Sequence, residues 1–251
     1  MNKLICFVST LAVSISAVTV VDYDRSEEAG TPNTVGNSAR NPDVSTPTAR
    51  MWNFSTTEEL LKDDVKGTNN TVYGGMNYSW TAVETNVLFR YYNDAIQLSV
   101  GGAGTDADLT GIIFWDKSDF LNNADTQLVG FSGTDSLSAS FETRSGGTTW
   151  DIRFVINQGG TWYVSDQNIT ATGSGVFSSV PATGTWHAIS TNGNYTISVT
   201  AEPITFDNVL AVGLYINGAR KNGQVTVRIN DFIADATVGS GRTLRLVIMH
   251  Q

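Results

Sequence analysis

From Asn86 to about residue 238 the chain repeats one pattern: short stretches that alternate apolar and polar residues, each ended by Gly, Asn, Asp or Ser. "NVLFRYY", "AIQLSVGG", "LTGIIFWD", "SLSASFETRSGG", "TWDIRFVINQGGTWYVSD", "WHAIS", "YTISVT", "VLAVGLYING" and "GQVTVRINDFIA" succeed one another in this way. Alternation with a period of two is the mark of a half-buried strand, and turns this frequent leave no room for the helices of βαβ units. Rossmann and TIM-type folds are therefore excluded, and a sandwich or barrel is expected. Glu and Lys, the usual filling of exposed helix faces, are sparse, and charged residues make up only 16% of the chain.

The start of the chain has a different character. "MNKLICFVSTLAVSISA", residues 1–17, reads as a secretory signal, with Lys3 ahead of an apolar stretch and Ala17 at the cleavage position. That stretch is too short and too rich in Ser and Thr to span a membrane. Cys6, the only cysteine, would leave with the signal, so a mature secreted chain would have neither disulfides nor Cys-ligated zinc. Residues 18–50 hold Pro32, Pro42 and Pro47 among Ser, Thr, Asn and Gly, and read as a flexible linker. The domain is expected to cover 51–238, opening with "MWNFS" and one short helical turn in "STTEELLKDD". Residues 239–251 read as a tail or a last strand.

Charge and residue inventory exclude several functions. The net charge is −9 and no cluster of basic residues occurs, so a nucleic-acid partner is not expected. His187 and His250 are the only histidines, which rules out a multi-His metal site and leaves His187 as the one possible base of a Ser-His-Asp set. It sits between Trp186 and Ala188 in a strand, where an ordinary half-buried histidine is expected. Glu84, Glu142 and Glu202 fall on or near different strands and form no spaced pair of the kind glycoside hydrolysis needs. Asp106, Asp108, Asp116, Asp119 and Asp125 are read as turn residues, since neither run matches a calcium loop.

The hairpin at 149–166 admits a register argument. Trp150, Ile152, Phe154 and Ile156 share one face of its first strand, and Asp151, Arg153, Val155 and Asn157 share the other. A two-residue turn at Gly159-Gly160 sets Ile156 opposite Tyr163 and Asn157 opposite Trp162. A four-residue loop keeps that parity; a three- or five-residue loop reverses every assignment. The even loop is preferred, which sends Tyr163 to the core and Trp162 outward with Val155, Arg153 and Asp151. A ring that stacks on the C–H face of a sugar, beside a hydrogen-bond donor and an acceptor, is the composition of a glycan platform. The alternative is a Trp162 covered by a loop. Tyr92 in "RYYND" is a second aromatic of the same kind, sharing a face with Arg90.

The segments "FETRSGGTTWDIRFVINQGGTWYVSD", "TGTWHAIS" and "VLAVGLYINGARKNGQVTVRINDFIAD" resemble galactose-binding-like jelly-roll domains of secreted bacterial proteins. The resemblance covers about residues 51–238 and implies an all-β, two-sheet antiparallel β-sandwich of jelly-roll topology. Members of this type are commonly non-catalytic carbohydrate-binding modules, and some carry a structural calcium near the first and last strands. By resemblance Asp231 stands where a last-strand calcium ligand would, although "MWNFS", read as the first strand, offers no acid beside it. The resulting expectation is a secreted, non-catalytic β-sandwich that binds a polysaccharide or other glycan through Trp162, Arg153, Asp151 and Tyr92. No cofactor is expected, the structural calcium that the resemblance allows at Asp231 aside. The rival expectations are a structural or adhesive cell-surface protein without glycan binding, and a polysaccharide-degrading enzyme.

Overall fold

The computed structural model describes residues 17–24, 50–54, 73–80, 86–91, 95–101, 106–143, 149–170, 173–190 and 195–239. Fifteen strands follow in chain order: β1 (Ala17–Asp24), β2 (Arg50–Phe54), β3 (Tyr73–Trp80), β4 (Asn86–Tyr91), β5 (Ile96–Gly101), β6 (Ala107–Asp116), β7 (Leu128–Gly130) and β8 (Ser136–Thr143). Then come β9 (Thr149–Gln158), β10 (Thr161–Ser165), β11 (Ser174–Ser179), β12 (Thr185–Ser190), β13 (Thr196–Pro203), β14 (Val209–Arg220) and β15 (Val225–Gly239). They form two antiparallel sheets. One has the order β11-β8-β15-β5-β4, with β1 and β7 also on β15; the other has the order β13-β12-β10-β9-β14-β6-β3-β2. The chain is thus a two-sheet β-sandwich. The helical turn expected in "STTEELLKDD" lies outside the described residues.

The core is the interlayer. Trp150, Ile152, Phe154 and Ile156 of β9 and Val212, Leu214 and Ile216 of β14 meet Phe141, Val227, Ile229, Phe232 and Ala234 from the opposite sheet. Trp115 of β6 stacks on Phe232 of β15, with centroids 4.6 Å apart, so the large rings interlock across the two layers. The alternation in β9 follows from this, because every second residue must enter the interlayer and its neighbours must leave it.

Three boundaries differ from those read in the sequence, the smallest change being that β2 begins at Arg50, the last residue of the stretch read as linker. Residues 18–24 are not linker: they belong to β1, which pairs with β15 from Ala17↔Thr237 to Asp24↔Asp231 and puts Val20, Val21 and Tyr23 into the core. A register shift between Thr19 and Val21 lets two consecutive valines point inward, which erases the alternation that would mark a strand. The last strand runs on to Gly239, one residue beyond the boundary at 238, and the remainder of the tail lies outside the described residues. Asp108, read as a turn residue, lies within β6.

Tyr23 ties β1 to the end of the β5–β15 ladder, where Ile96 and Ile229 are paired. Its hydroxyl accepts from the Ile96 amide at 3.2 Å and donates to the Ile229 carbonyl at 3.4 Å, and its ring lies 5.9 Å from that of Trp115. Tyr23→Ala removes a buried ring and strands these polar groups, so it is expected to cost about 3–5 kcal/mol. Urea unfolding at neutral pH measures this, and a loss below about 1 kcal/mol would place β1 outside the cooperative fold.

Candidate functional site

The outer face of the β13-to-β2 sheet carries the candidate site. Its hairpin turns as the Gly pair requires: Gly159 and Gly160 both have positive φ, 57° and 96°, and Asn157 Oδ1 accepts from the Gly160 amide at 2.9 Å. Trp162 stands opposite Asn157 and Tyr163 opposite Ile156. Tyr163 packs at the edge of the main core, 5.9 Å from the Phe206 ring, while Trp162 faces the other way. The two adjacent rings are separated as strand parity demands.

Trp162 is half-buried there because the face is not bare. Ile112, Val155, Val164, Ile189, Tyr195 and Tyr215 form a second apolar cluster outside the sandwich, with Phe114, Trp162 and Ile197 packed against it. Trp162 and Phe114 meet at 4.8 Å, edge to face, although β9 and β14 lie between their strands. At the usual strand spacing that gap is about 14 Å, so both rings must lean toward each other over the two intervening strands. Gly213 makes this possible. It is registered between Val155 of β9 and Phe114 of β6, and it raises no side chain between them. A Cβ there would strike the Ile113 carbonyl oxygen and Phe114 itself.

Below the aromatic bridge the face turns polar. Asp151 and Arg153 are close to each other, as their positions on one strand face require, but they are not a free donor and acceptor. Arg153 Nε donates to Asp151 Oδ1 at 2.9 Å, and its Nη1 donates to the carbonyls of Ser165 at 3.1 Å and Asp166 at 3.2 Å. Val155 lies between Arg153 and the Trp162 end of the face. Tyr215 stands opposite Arg153 and Asn217 opposite Asp151. Burial pushes the Tyr215 hydroxyl above its ordinary range; the Asp151 charge adds to this, while Asn217 and Arg153 oppose it. Burial likewise raises the Tyr195 hydroxyl.

The second polar group is one that sequence reasoning missed as a pair. His187 Nε2 lies 3.0 Å from Asp166 Oδ1 and its Nδ1 lies 2.8 Å from the Ser198 carbonyl oxygen. Asp166 also accepts from Thr185 Oγ1 at 3.3 Å. Its carboxyl is held below the ordinary 3.8, chiefly by the His187 hydrogen bond, with burial opposing. Only the order of β10 and β12 brings the two residues together.

The remaining expected residues lie elsewhere. Tyr92 and Glu84 are outside the described residues. Asp231 is on the opposite sheet, where its carboxylate accepts from the Ser140 hydroxyl. The strand beside it is β1, not "MWNFS", and it places Asp24 at the paired position. Calcium asks for six to eight oxygens, and among the described residues no three acids, histidines or cysteines converge on a metal position. Asp116 behaves as a turn residue, accepting from the Ser118 amide at 3.0 Å and hydroxyl at 2.8 Å. Glu142 and Glu202 are on different sheets. Among the described residues no helix is long and apolar enough to cross a membrane.

No protein-family model and no curated protein matches the sequence. The solved structures it is similar to include carbohydrate-binding modules. One is a family 11 module from Clostridium thermocellum in complex with a beta-1,3-1,4-mixed-linked tetrasaccharide, at 10% identity and a TM-score of 0.31, over 71% of this chain and 94% of that one. Another is the family 11 module of the cellulase Lic26A-Cel5E of the same organism, at 9% identity and a TM-score of 0.30, over 79% and 99%. The sandwich itself is read from the strand pairing and needs neither likeness.

Two outcomes test this geometry. Gly213→Ala forces backbone and Phe114 apart, so a loss of about 1–3 kcal/mol in urea unfolding and a changed Trp fluorescence spectrum are expected. Asp166 has a lowered folded value, so its contact stabilises the fold above the ordinary carboxylate value and loses that effect as pH falls through the lowered one. The stability gap between wild type and Asp166→Asn should therefore be present at about pH 6 and close toward about pH 2. A gap that widens on acidification would contradict the pairing.

Proposed function

We propose that this chain is a secreted β-sandwich that binds a neutral polysaccharide on the outer face of its longer sheet and performs no chemistry on it. The observation that carries this reading is the half-buried Trp162, bridged to Phe114 over Gly213, directly above a polar zone of Asp151, Arg153, Tyr215 and Asn217. A sugar chain offers C–H faces to rings and hydroxyls to carboxylate and amide groups, and this face offers both kinds of partner. Arg153 is committed to Asp151 and the whole chain carries a charge of −9, which favours an uncharged glycan over an anionic one. His187 has both ring nitrogens occupied, which supports binding without general-base work. Secretion is supported by the character of residues 1–17.

Affinity electrophoresis in gels containing mixed-linkage β-glucan, xyloglucan, galactomannan or alginate tests the reading. At least one neutral polymer should retard the protein and alginate should not. Trp162→Ala should weaken retardation about ten-fold, the size of a lost ring contact, while Trp162→Phe keeps the bridge to Phe114 and retains part of it. No retardation by any neutral polymer, or undiminished retardation of a folded Trp162→Ala protein, would defeat the site. Release of reducing sugar from these polymers would replace the binding reading by an enzymatic one.

A further inference from the structure

The β12–β13 edge of the outer face is held by a histidine whose two contacts both call for an N–H, of which a neutral ring has only one. Nδ1 faces the Ser198 carbonyl at 2.8 Å and Nε2 faces the Asp166 carboxylate at 3.0 Å. A carbonyl oxygen only accepts, and so does an ionised carboxylate. Neutral imidazole carries one N–H, so it serves one of these partners and turns a lone pair toward the other. Both contacts are hydrogen bonds only when both nitrogens are protonated.

We propose that His187 is an imidazolium clamp joining the end of β10, β12 and β13, and that its protonation regulates the aromatic face; the second half of this rests on that face being the glycan site.

The surroundings fit a proton-dependent joint. Asp166 meets the ring from the end of β10, with Thr185 on its other oxygen. From β9, Arg153 bonds the Ser165 and Asp166 carbonyls and pairs with Asp151. Asp151 and Asp166 are balanced by Arg153 and His187 only while the ring is charged. Loss of its proton leaves one negative charge in excess and a lone pair against an oxygen. The regular ladder gives β13 little help at this point, because its pairing with β12 shifts register between His187 and Ile189 and, among the described residues, no strand follows it in the sheet order. The imidazolium thus substitutes for ladder bonds at a bulge in an edge strand.

The clamp reaches the aromatic face through its neighbours. His187 is registered opposite Val164, Ile189 follows on the same side of β12, and Ile197 adjoins the clamped Ser198. Val164 and Ile189 belong to the outer apolar cluster, against which Ile197 and Trp162 pack. Release of Ser198 frees the segment that carries one wall of that cluster.

The full chain tests this by nitrogen-15 NMR of the histidine rings and amide exchange of Ile197–Ala201. His187→Gln separates the His187 signals from those of His250. The rings are compared at about pH 5.5 and about pH 8.5, and the clamp requires both His187 nitrogens protonated in the first condition and one unprotonated in the second. Exchange in β13, corrected for its intrinsic pH dependence, should then be about five-fold faster, the worth of one hydrogen bond, and His187→Gln should abolish the difference. A single neutral tautomer at about pH 5.5, or pH-independent exchange, would overturn the clamp. Retardation by the neutral polymer that binds best should weaken by a similar factor over the same interval. Equal retardation at both pH values with the clamp intact would overturn the regulation, and absence of retardation at every pH would overturn the glycan reading while exchange still decides the clamp.

Discussion

Strand β14 is apolar on both sides, and the rest of the molecule depends on that. Val212, Leu214 and Ile216 fill the interlayer, and Tyr215 between them is equally buried, in the second cluster outside. Ladders to β9 and β6 lock β14 along almost its whole length, so neither side can shift without shifting the other. The outer face is therefore not free surface decorated on a sandwich. Its register is set by the same hydrogen bonds that close the core, and its side chains are placed with the precision of core residues.

How much of this was legible in the sequence follows from the range of each interaction. Trp162 and Tyr163 could be told apart because a Gly-Gly turn with both φ positive fixes parity within eighteen residues, and everything needed lay in that stretch. The ion pair of Asp151 and Arg153 was within the same reach, since residues two apart on a strand share a face, and the two were nonetheless expected as separate ligands. The Trp162–Phe114 bridge was out of reach: it needs the order β10-β9-β14-β6 and an unoccupied Gly213. The Asp166–His187 pair depended in the same way on β10 lying beside β12. Strand β1 was concealed for a different reason, as its bulge points Val20 and Val21 the same way and its apolar residues continue the apolar run that precedes them in the sequence.

The aromatic bridge also redefines what the face can do. A fully open tryptophan would be a flat platform, whereas Trp162 is half-buried and meets Phe114 in a T-shaped contact. A ring held by such a contact has less freedom to lose, which would lower the ordering cost of the proposed binding. Asp151 and Arg153 are pre-set in the same sense, with the guanidinium fixed by two backbone carbonyls and the carboxylate fixed by the guanidinium.

The two outer faces of the sandwich then divide their roles by chemistry. On the β15 side carboxylates are matched by hydroxyls: Thr19 donates to Asp235 at 2.7 Å, Thr237 to Asp135 at 2.6 Å, and Ser140 to Asp231. Each of these acids thus has a hydroxyl partner within the fold. On the β14 side, rings and aliphatic groups lie beside a compact set of paired charges, so covering them removes apolar area from water without breaking an ion pair. A ligand that is itself half apolar and half hydroxylated would have more to gain on the β14 face, which is why the proposed site lies on the longer sheet and not on the one carrying Asp231.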